Sequence, residues 1–503
     1  MSSLETTPIL EERAAAAPER VEGEQAKGWR PSAIAADIAT LGTGTLLAGL
    51  FNVALVFVVP KLISVEDYGY WRMFGLYAGY VGFLHFGFAD GALLRWAGRP
   101  MEEFHHEIAP AVKYLFWQHV VVLAPLCAIA TMALRGPLQF VSIAVAIYAV
   151  VVNEVMLLQF GLQSAKIFRP VAVSTVGAPA LFLGFVLLWH AKWQSDYREV
   201  TGLYASGWLI ALVFLLLRTK PWGGKQEGTA VTALAKECVL SGWPIVTANT
   251  GVMLIVFADR LAVSWAASIQ NFAQYSLAAS AMAIPITAIL ACSKVFFSHL
   301  AGVTPDGRRR IYGVSSRTLL MAWAMLLPYY FALDVFLRHF LPRYIPSLAY
   351  ARILLLGIPF LAAIQILQMS YAYLNGMQKR FLAQTVAVLA VSLGITSFAA
   401  FHAGSLRIVA GVQVTILGGW WLFNEWMLRS STGQAKRDWT KFAGIYAMVA
   451  TSYWLTTVPA LNVGAAVGIY YSTVAIAVAV GCRDELKLFL SEIAGRRIPV
   501  REG

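Results

Sequence analysis

Apolar residues in this chain do not alternate with polar ones. They run on in stretches separated by short polar breaks, at about 36–59, 73–94, 113–134, 138–160, 171–189, 202–217, 240–259, 272–293, 318–337, 351–374, 381–401, 406–428, 442–458 and 461–481. A helix crosses the hydrocarbon core of a bilayer with about 20 apolar residues. In that medium only helices and closed barrels satisfy every backbone polar group. Barrel strands alternate with period two, which these runs do not. The pattern predicts an all-α integral membrane protein of about fourteen transmembrane helices, with little chain outside them.

Composition agrees. Hydrophobic residues make up 58% of the chain and charged ones 13%, too apolar a balance for a soluble domain to bury. The net charge of +12 would fit nucleic acid if it were clustered, but it is distributed by side. Of 39 Lys and Arg residues, roughly three in four fall on the side of the N-terminus, the asymmetry that marks cytoplasmic loops. Both termini are therefore expected in the cytoplasm, and the basic balance reads as topology and contact with anionic membrane lipids, with no nucleic acid partner. Residues 1–33 read as a disordered cytoplasmic tail without a cleavable signal, the first span serving as the insertion signal. The longest loops, about 95–112, 218–239 and 294–317, fall on the cytoplasmic side. In the last of these, Asp306-Gly307 reads as a turn before the anchor Arg308-Arg309-Arg310.

The 218–239 segment, with Pro221 and Gly223-Gly224, reads as a linker between residues 34–217 and 240–430, each of six spans. Helices 13 and 14 follow over 431–482. Residues 483–503 form an amphipathic cytoplasmic tail, with Leu486, Phe489, Leu490 and Ile493 on one helical face. Short similarities join the two halves. Gly161-Leu162-Gln163 matches Gly376-Met377-Gln378. Leu62-Ile63-Ser64 with Tyr68-Gly69 matches Leu261-Ala262-Val263-Ser264 with Tyr275-Ser276. Repeats of this kind commonly frame transporter binding sites.

These segments carry a resemblance. Pro60-Lys61-Leu62-Ile63-Ser64-Val65-Glu66-Asp67-Tyr68-Gly69-Tyr70-Trp71 resembles the first-loop signature of the polysaccharide transporter family, bacterial O-antigen and exopolysaccharide flippases. Phe86-Gly87-Phe88-Ala89-Asp90-Gly91-Ala92 with Arg95 resembles the end of that family's second span. Asp259-Arg260-Leu261 with Tyr275-Ser276 resembles its seventh-to-eighth connection. Arg343-Tyr344-Ile345-Pro346 with Arg352-Ile353-Leu354 resembles its entry to span ten. The similarity covers about residues 35–430. It implies the multidrug/oligosaccharidyl-lipid/polysaccharide exporter fold, two six-helix lobes around a central cavity plus two extra helices, in the bacterial inner membrane. It also implies translocation of a polyprenyl-diphosphate-linked oligosaccharide from the cytoplasmic to the periplasmic leaflet for lipopolysaccharide, capsule or exopolysaccharide, beside a polysaccharide polymerase and glycosyltransferases. Lys294, where an apolar residue or proline is expected, and the long Ser264-to-Tyr275 connection depart from the family pattern.

A lipid-diphosphate sugar needs a cationic, polar path between the lobes, and Arg grips phosphate oxygens bidentately. The substrate-binding candidates are Arg72 and Arg95 on span two, Arg260 ending span seven, Lys294 closing span eight and Arg352 opening span ten; each also suits a snorkelling interfacial cation. The resemblance adds that spans one, two, seven and eight line the cavity. Glu154, beside Asn153, is the one carboxylate placed deep in a span; it is protonated or paired. With Asp90 it is the coupling-ion candidate, against a structural interhelical hydrogen bond. Trp420 and Trp421 are candidates for stacking on sugar.

Signals for other chemistry are lacking. His105-His106-Glu107 has no second ligand cluster to make a metal site. Gly223-Gly224-Lys225 continues into Gln226 rather than a phosphate-binding loop. Cys127, Cys238, Cys292 and Cys482 are spaced as buried apolar residues rather than metal ligands. No cofactor and no catalysis are expected. The alternatives are a membrane glycosyltransferase or polymerase acting on lipid-linked sugars, for which the far-side loops are short, and a drug exporter of the same superfamily. A lipid II flippase would also resemble the chain, although cations would then be expected in its first span.

Overall fold

The computed structural model describes residues 31–221, 231–301, 303–432, 439–457 and 462–481. Most of the expected N-terminal tail, part of the linker, Cys482 and the amphipathic tail over 483–503 lie outside the described residues. All regular structure among the described residues is helical. Among the described residues, eleven helices are long and apolar enough to cross a membrane by length and composition. With Val65–Trp96, Trp439–Thr456 and Val463–Gly481 they make a series of fourteen passes.

Span one is Pro31–Leu62, three is Met101–Ala133, four is Pro137–Ser164, five is Phe168–His190 and six is Tyr197–Thr219. Span seven is Val231–Val256 followed by Ala258–Ala266, and eight is Ile269–Ala281 followed by Ala283–Ala301. Span nine joins Pro305–Ala324 to Tyr329–Phe340, ten runs Ser347–Leu374, eleven is Gln378–His402 and twelve is Leu406–Thr432. The segments 95–112 and 294–317 are mostly helix, with connections of only a few residues before Met101 and before Pro305. Helices begin at Met101 and at Pro305, where the Thr304 hydroxyl accepts from the Gly307 N–H, so Asp306-Gly307 opens a helix rather than making a turn. Charged first turns carry these helices past the apolar core, and hydropathy registers only the part inside it.

Span two departs most from the apolar pattern. It begins at Val65 rather than 73, because Ser64 caps it by accepting the Asp67 N–H at 3.0 Å. It then breaks into Val65–Ala78, a tight turn of helix at Val81–His85, and Phe88–Trp96. At the break Phe86 and Gly87 are left-handed, with φ of 48° and 83°. Broken backbone at membrane depth requires partners from the protein. Gln118 Nε2 donates to the Leu84 carbonyl at 2.8 Å, Asn153 Nδ2 to the Val81 carbonyl at 3.0 Å, and the Gly87 N–H to His85 Nδ1 at 3.0 Å.

The first six spans and the next six repeat one packing pattern. One packs on five, five on six, three on four, four on six and two on four. Seven correspondingly packs on eleven, eleven on twelve, nine on ten, ten on twelve and eight on ten. Spans thirteen and fourteen pack on each other and reach the second lobe through nine and ten. The equivalences differ from those read in sequence. Ser268, not Ser264, matches Ser64: it caps span eight by accepting the Asn271 N–H at 3.3 Å. Val65-Glu66-Asp67-Tyr68 then aligns with Ile269-Gln270-Asn271-Phe272, and the apparent extra length vanishes. Likewise left-handed Gly376 matches left-handed Lys166. The same helix-ending hydrogen bond follows each, Ile167 N–H to Leu162 O at 2.8 Å and Met377 N–H to Ala372 O at 2.9 Å.

Candidate functional site

The lobes meet along spans one, two, seven and eight. At the terminal face, the end where span one begins and span fourteen stops, the last piece of span two lies against the first piece of span seven with backbone almost touching. A Cβ on Gly91 would stand 1.8 Å from the Cys238 carbonyl oxygen, and one on Gly242 1.9 Å from that of Gly87. Phe83 and Phe86 pack on Trp243, with ring centroids 5.4 and 6.4 Å apart. Phe88, Ala92 and Trp96 share one buried cluster with Leu234, Ala235 and Cys238 from the other lobe. At the opposite end Gly69 lies on span eight, where a Cβ would sit 2.6 Å from the Ile269 carbonyl oxygen. Phe57 meets Phe336 there at 4.7 Å, and Tyr68 meets Tyr344 at 5.4 Å. The lobes therefore touch at both ends.

Between the two closures lies a cavity of about 290 Å³. Its polar lining is Asn52, Arg72, Tyr204, Arg260, Ser280 and Thr287. Arg72 and Arg260, from different lobes, thus face one space. Arg260 Nη2 donates to the Ala279 carbonyl at 2.8 Å and its guanidinium sits 4.6 Å from the Phe257 ring centroid. Its neighbour Asp259 is buried and accepts from the Tyr275 hydroxyl at 2.6 Å. The Arg72 guanidinium lies 5.3 Å from the Trp71 ring centroid, and its buried Nε has no hydrogen-bond partner among the described residues. Two guanidiniums with donors to spare, beside hydroxyls and an amide, make a receptor for a multiply charged oxyanion. The volume sits at the lower limit for drug-sized ligands, about 300 Å³, so an oligosaccharide head requires the lobes to part.

The other expected cations are elsewhere. Arg95 donates to both oxygens of Glu107, Nε at 2.9 Å and Nη2 at 3.0 Å, and its Nη1 to Glu237 of span seven. It therefore ties the lobes together at the terminal end and does not line the cavity; sequence placed it on the right helix without showing the two carboxylates folded onto it. Arg352 Nε donates to Thr457 Oγ1 at 2.7 Å and Nη2 to the Trp454 carbonyl. Its guanidinium lies 3.8 Å from the Trp454 ring centroid, so it anchors span thirteen. The side chain of Lys294 lies outside the described residues. Trp420 and Trp421 are buried in the second lobe, away from the cavity. Cys238 is buried, whereas Cys292 is exposed.

Glu154 is buried in the first lobe, and among the described residues neither carboxylate oxygen has a hydrogen-bond partner. Its neighbour Asn153 joins the break of span two to His119, Nδ2 lying 2.9 Å from His119 Nε2. Asp90 lies 3.6 Å from His85 Nε2 at the same break. Glu154 is not alone in being buried. Glu425 of span twelve accepts from the Tyr312 hydroxyl at 2.8 Å, Ser316 Oγ at 3.0 Å and Gln368 Nε2 at 2.9 Å, and Asn424 donates to Gln368 Oε1 at 2.7 Å. Sequence reading missed Glu425 because it falls near the end of its apolar run. The signal was the pair Asn424-Glu425, repeating Asn153-Glu154. Asn52, the single amide of span one, and the Gly87-x-x-x-Gly91 spacing were also legible and passed over.

No protein-family model and no curated protein matches the sequence. Among solved structures the chain is similar to the lipid II flippase MurJ in an inward closed conformation, with 12% identity over 90% of this chain and 100% of that one and a TM-score of 0.65. It is also similar to the eukaryotic MATE transporter AtDTX14, with 14% identity over 83% of this chain and 98% of that one and a TM-score of 0.49. At these identities the likeness concerns architecture: the chain has the fold of the lipid II flippase.

Proposed function

We propose that this protein is a flippase that moves a polyprenyl-diphosphate-linked oligosaccharide across the membrane for surface polysaccharide synthesis. The observation that carries the reading is the cavity between the lobes lined by Arg72 of one lobe and Arg260 of the other, joined to the fold of a protein named a lipid II flippase. The two cations a diphosphate needs come from spans two and seven, so cations in span one are not required. The glycine-packed contacts at either end open in alternation, and the substrate's affinity for the states between them sets the balance. The Lys and Arg asymmetry supports cytoplasmic termini, and in a bacterial inner membrane, as the resemblance implies, the direction is outward. The resemblance of the first loop to polysaccharide transporters favours an O-antigen or exopolysaccharide unit. Deleting the chain should strand lipid-linked oligosaccharide on the leaflet facing the termini and remove surface polysaccharide. Unchanged surface polysaccharide would overturn the reading, and accumulation on the other leaflet would reverse the direction.

Energy for uphill transport comes in this reading from a proton gradient coupled through Glu154, which takes up a proton on one side and releases it on the other as the lobes exchange states. Among the described residues no cation reaches it, and Asn153 beside it holds the break of span two. Glu154→Gln should keep substrate binding but lose dependence on an imposed pH gradient in vesicles. Transport by this variant that follows the gradient as wild type does would remove Glu154 from the coupling.

A further inference from the structure

A second pocket, of about 450 Å³, opens between spans seven, eight, ten and eleven. It shares no lining residue with the central cavity, but it uses the same two helices. On span eight Ile286 lines the cavity and Phe297 the pocket, eleven residues apart within one continuous helix. Eleven residues are three turns, so both face the same way, roughly 16 Å apart along the axis. On span seven Arg260 belongs to the cavity and Asn249 to the pocket. The pocket is therefore the step below the cavity, towards the terminal face.

Its chemistry is two-sided. Pro244, Ile245, Phe297, Phe381 and Leu382 give it an apolar wall. Asn249 is an exposed amide halfway along span seven with no hydrogen bond among the described residues, although an unsatisfied amide facing hydrocarbon is costly. Lys379, exposed at the start of span eleven, lines the same pocket and has no ion pair among the described residues. An unpaired cation at the rim, a free amide within and an apolar wall complement an amphiphile with an anionic head.

We propose that this pocket is a loading site, where the transported polyprenyl diphosphate is first held on the terminal side before its head reaches Arg72 and Arg260. Lys379 meets the diphosphate, Asn249 its first polar substituents, and the apolar wall the start of the isoprenoid tail. The proposal rests on the flippase reading above.

The test uses a photoreactive polyprenyl diphosphate disaccharide in vesicles containing the full chain, with cross-linked peptides mapped. Wild type should label on the peptides of Asn249 and Phe297 as well as at the cavity. Lys379→Glu should lower pocket labelling roughly tenfold, as expected when one charge-assisted contact is lost. Ala248→Trp, which fills the pocket, should do the same, while Arg260→Ala keeps pocket labelling and loses cavity labelling. Equal pocket labelling in wild type and both pocket variants would overturn the loading site, as would full displacement by an equal amount of phosphatidylglycerol, which marks a resident lipid. Labelling at the cavity alone would overturn the loading site and leave the flippase reading standing. No labelling of wild type anywhere would overturn both.

Discussion

Gly91→Val leaves the terminal-face contact unable to close and stops transport, with the protein still folded and in the membrane. At this position the neighbouring atom is a backbone carbonyl oxygen, 1.8 Å from where even a methyl would sit, so no side-chain rotation relieves the clash. Overpacking costs about 1–3 kcal/mol where surroundings can adjust, and here the adjustment available is separation of the lobes. A cost of about 3 kcal/mol shifts a two-state balance roughly a hundredfold, away from the state with the terminal face shut. Arg95 reinforces the same contact through Glu237, so its loss should loosen the closure without preventing it. Cross-linking between cysteines introduced on spans two and seven at this end reads the outcome: wild type cross-links readily, Gly91→Val does not. Efficient cross-linking in the variant would show that span two reaches span seven by another route.

Arg260→Ala removes one of the two cations of the cavity and should weaken substrate binding by about 3 kcal/mol, roughly a hundredfold. The guanidinium is already placed by the Ala279 carbonyl and the Phe257 ring, so little ordering cost remains on binding. Arg260→Lys should recover only part, since an ammonium lacks the fork that spans two phosphate oxygens. Arg352→Ala makes the contrast: that residue holds span thirteen, so its loss should lower thermal stability more than affinity. Binding of polyprenyl diphosphate by titration separates the two, and wild-type affinity in Arg260→Ala would take Arg260 out of the site.

The spans and their order were legible because about 20 apolar residues in a row mean the same thing in any context. The breaks were not. Span two is interrupted where Phe86 and Gly87 turn left-handed, and the chain tolerates this only because Gln118 and Asn153 reach over from spans three and four. Such long-range compensation leaves no periodic trace. Arg72 and Arg260 could be named from residue type and helix end, but Arg95 and Arg352 look the same in sequence. What separates the pairs is which partners the fold brings: Glu107 and Glu237 to Arg95, Thr457 and Trp454 to Arg352, an open cavity to the other two. The repeat was visible too, but short identities misplaced it, and the Ser64 and Ser268 caps are what fix its register.

The most direct test is leaflet exchange in reconstituted vesicles. A fluorescent polyprenyl diphosphate oligosaccharide is placed in one leaflet, and its appearance in the other is followed by a membrane-impermeant quencher. The account predicts rapid exchange with wild type and near-background exchange with Gly91→Val and Arg260→Ala, the oligosaccharide unchanged in mass throughout. Background exchange with wild type, or a glycan that lengthens during the assay, would contradict it.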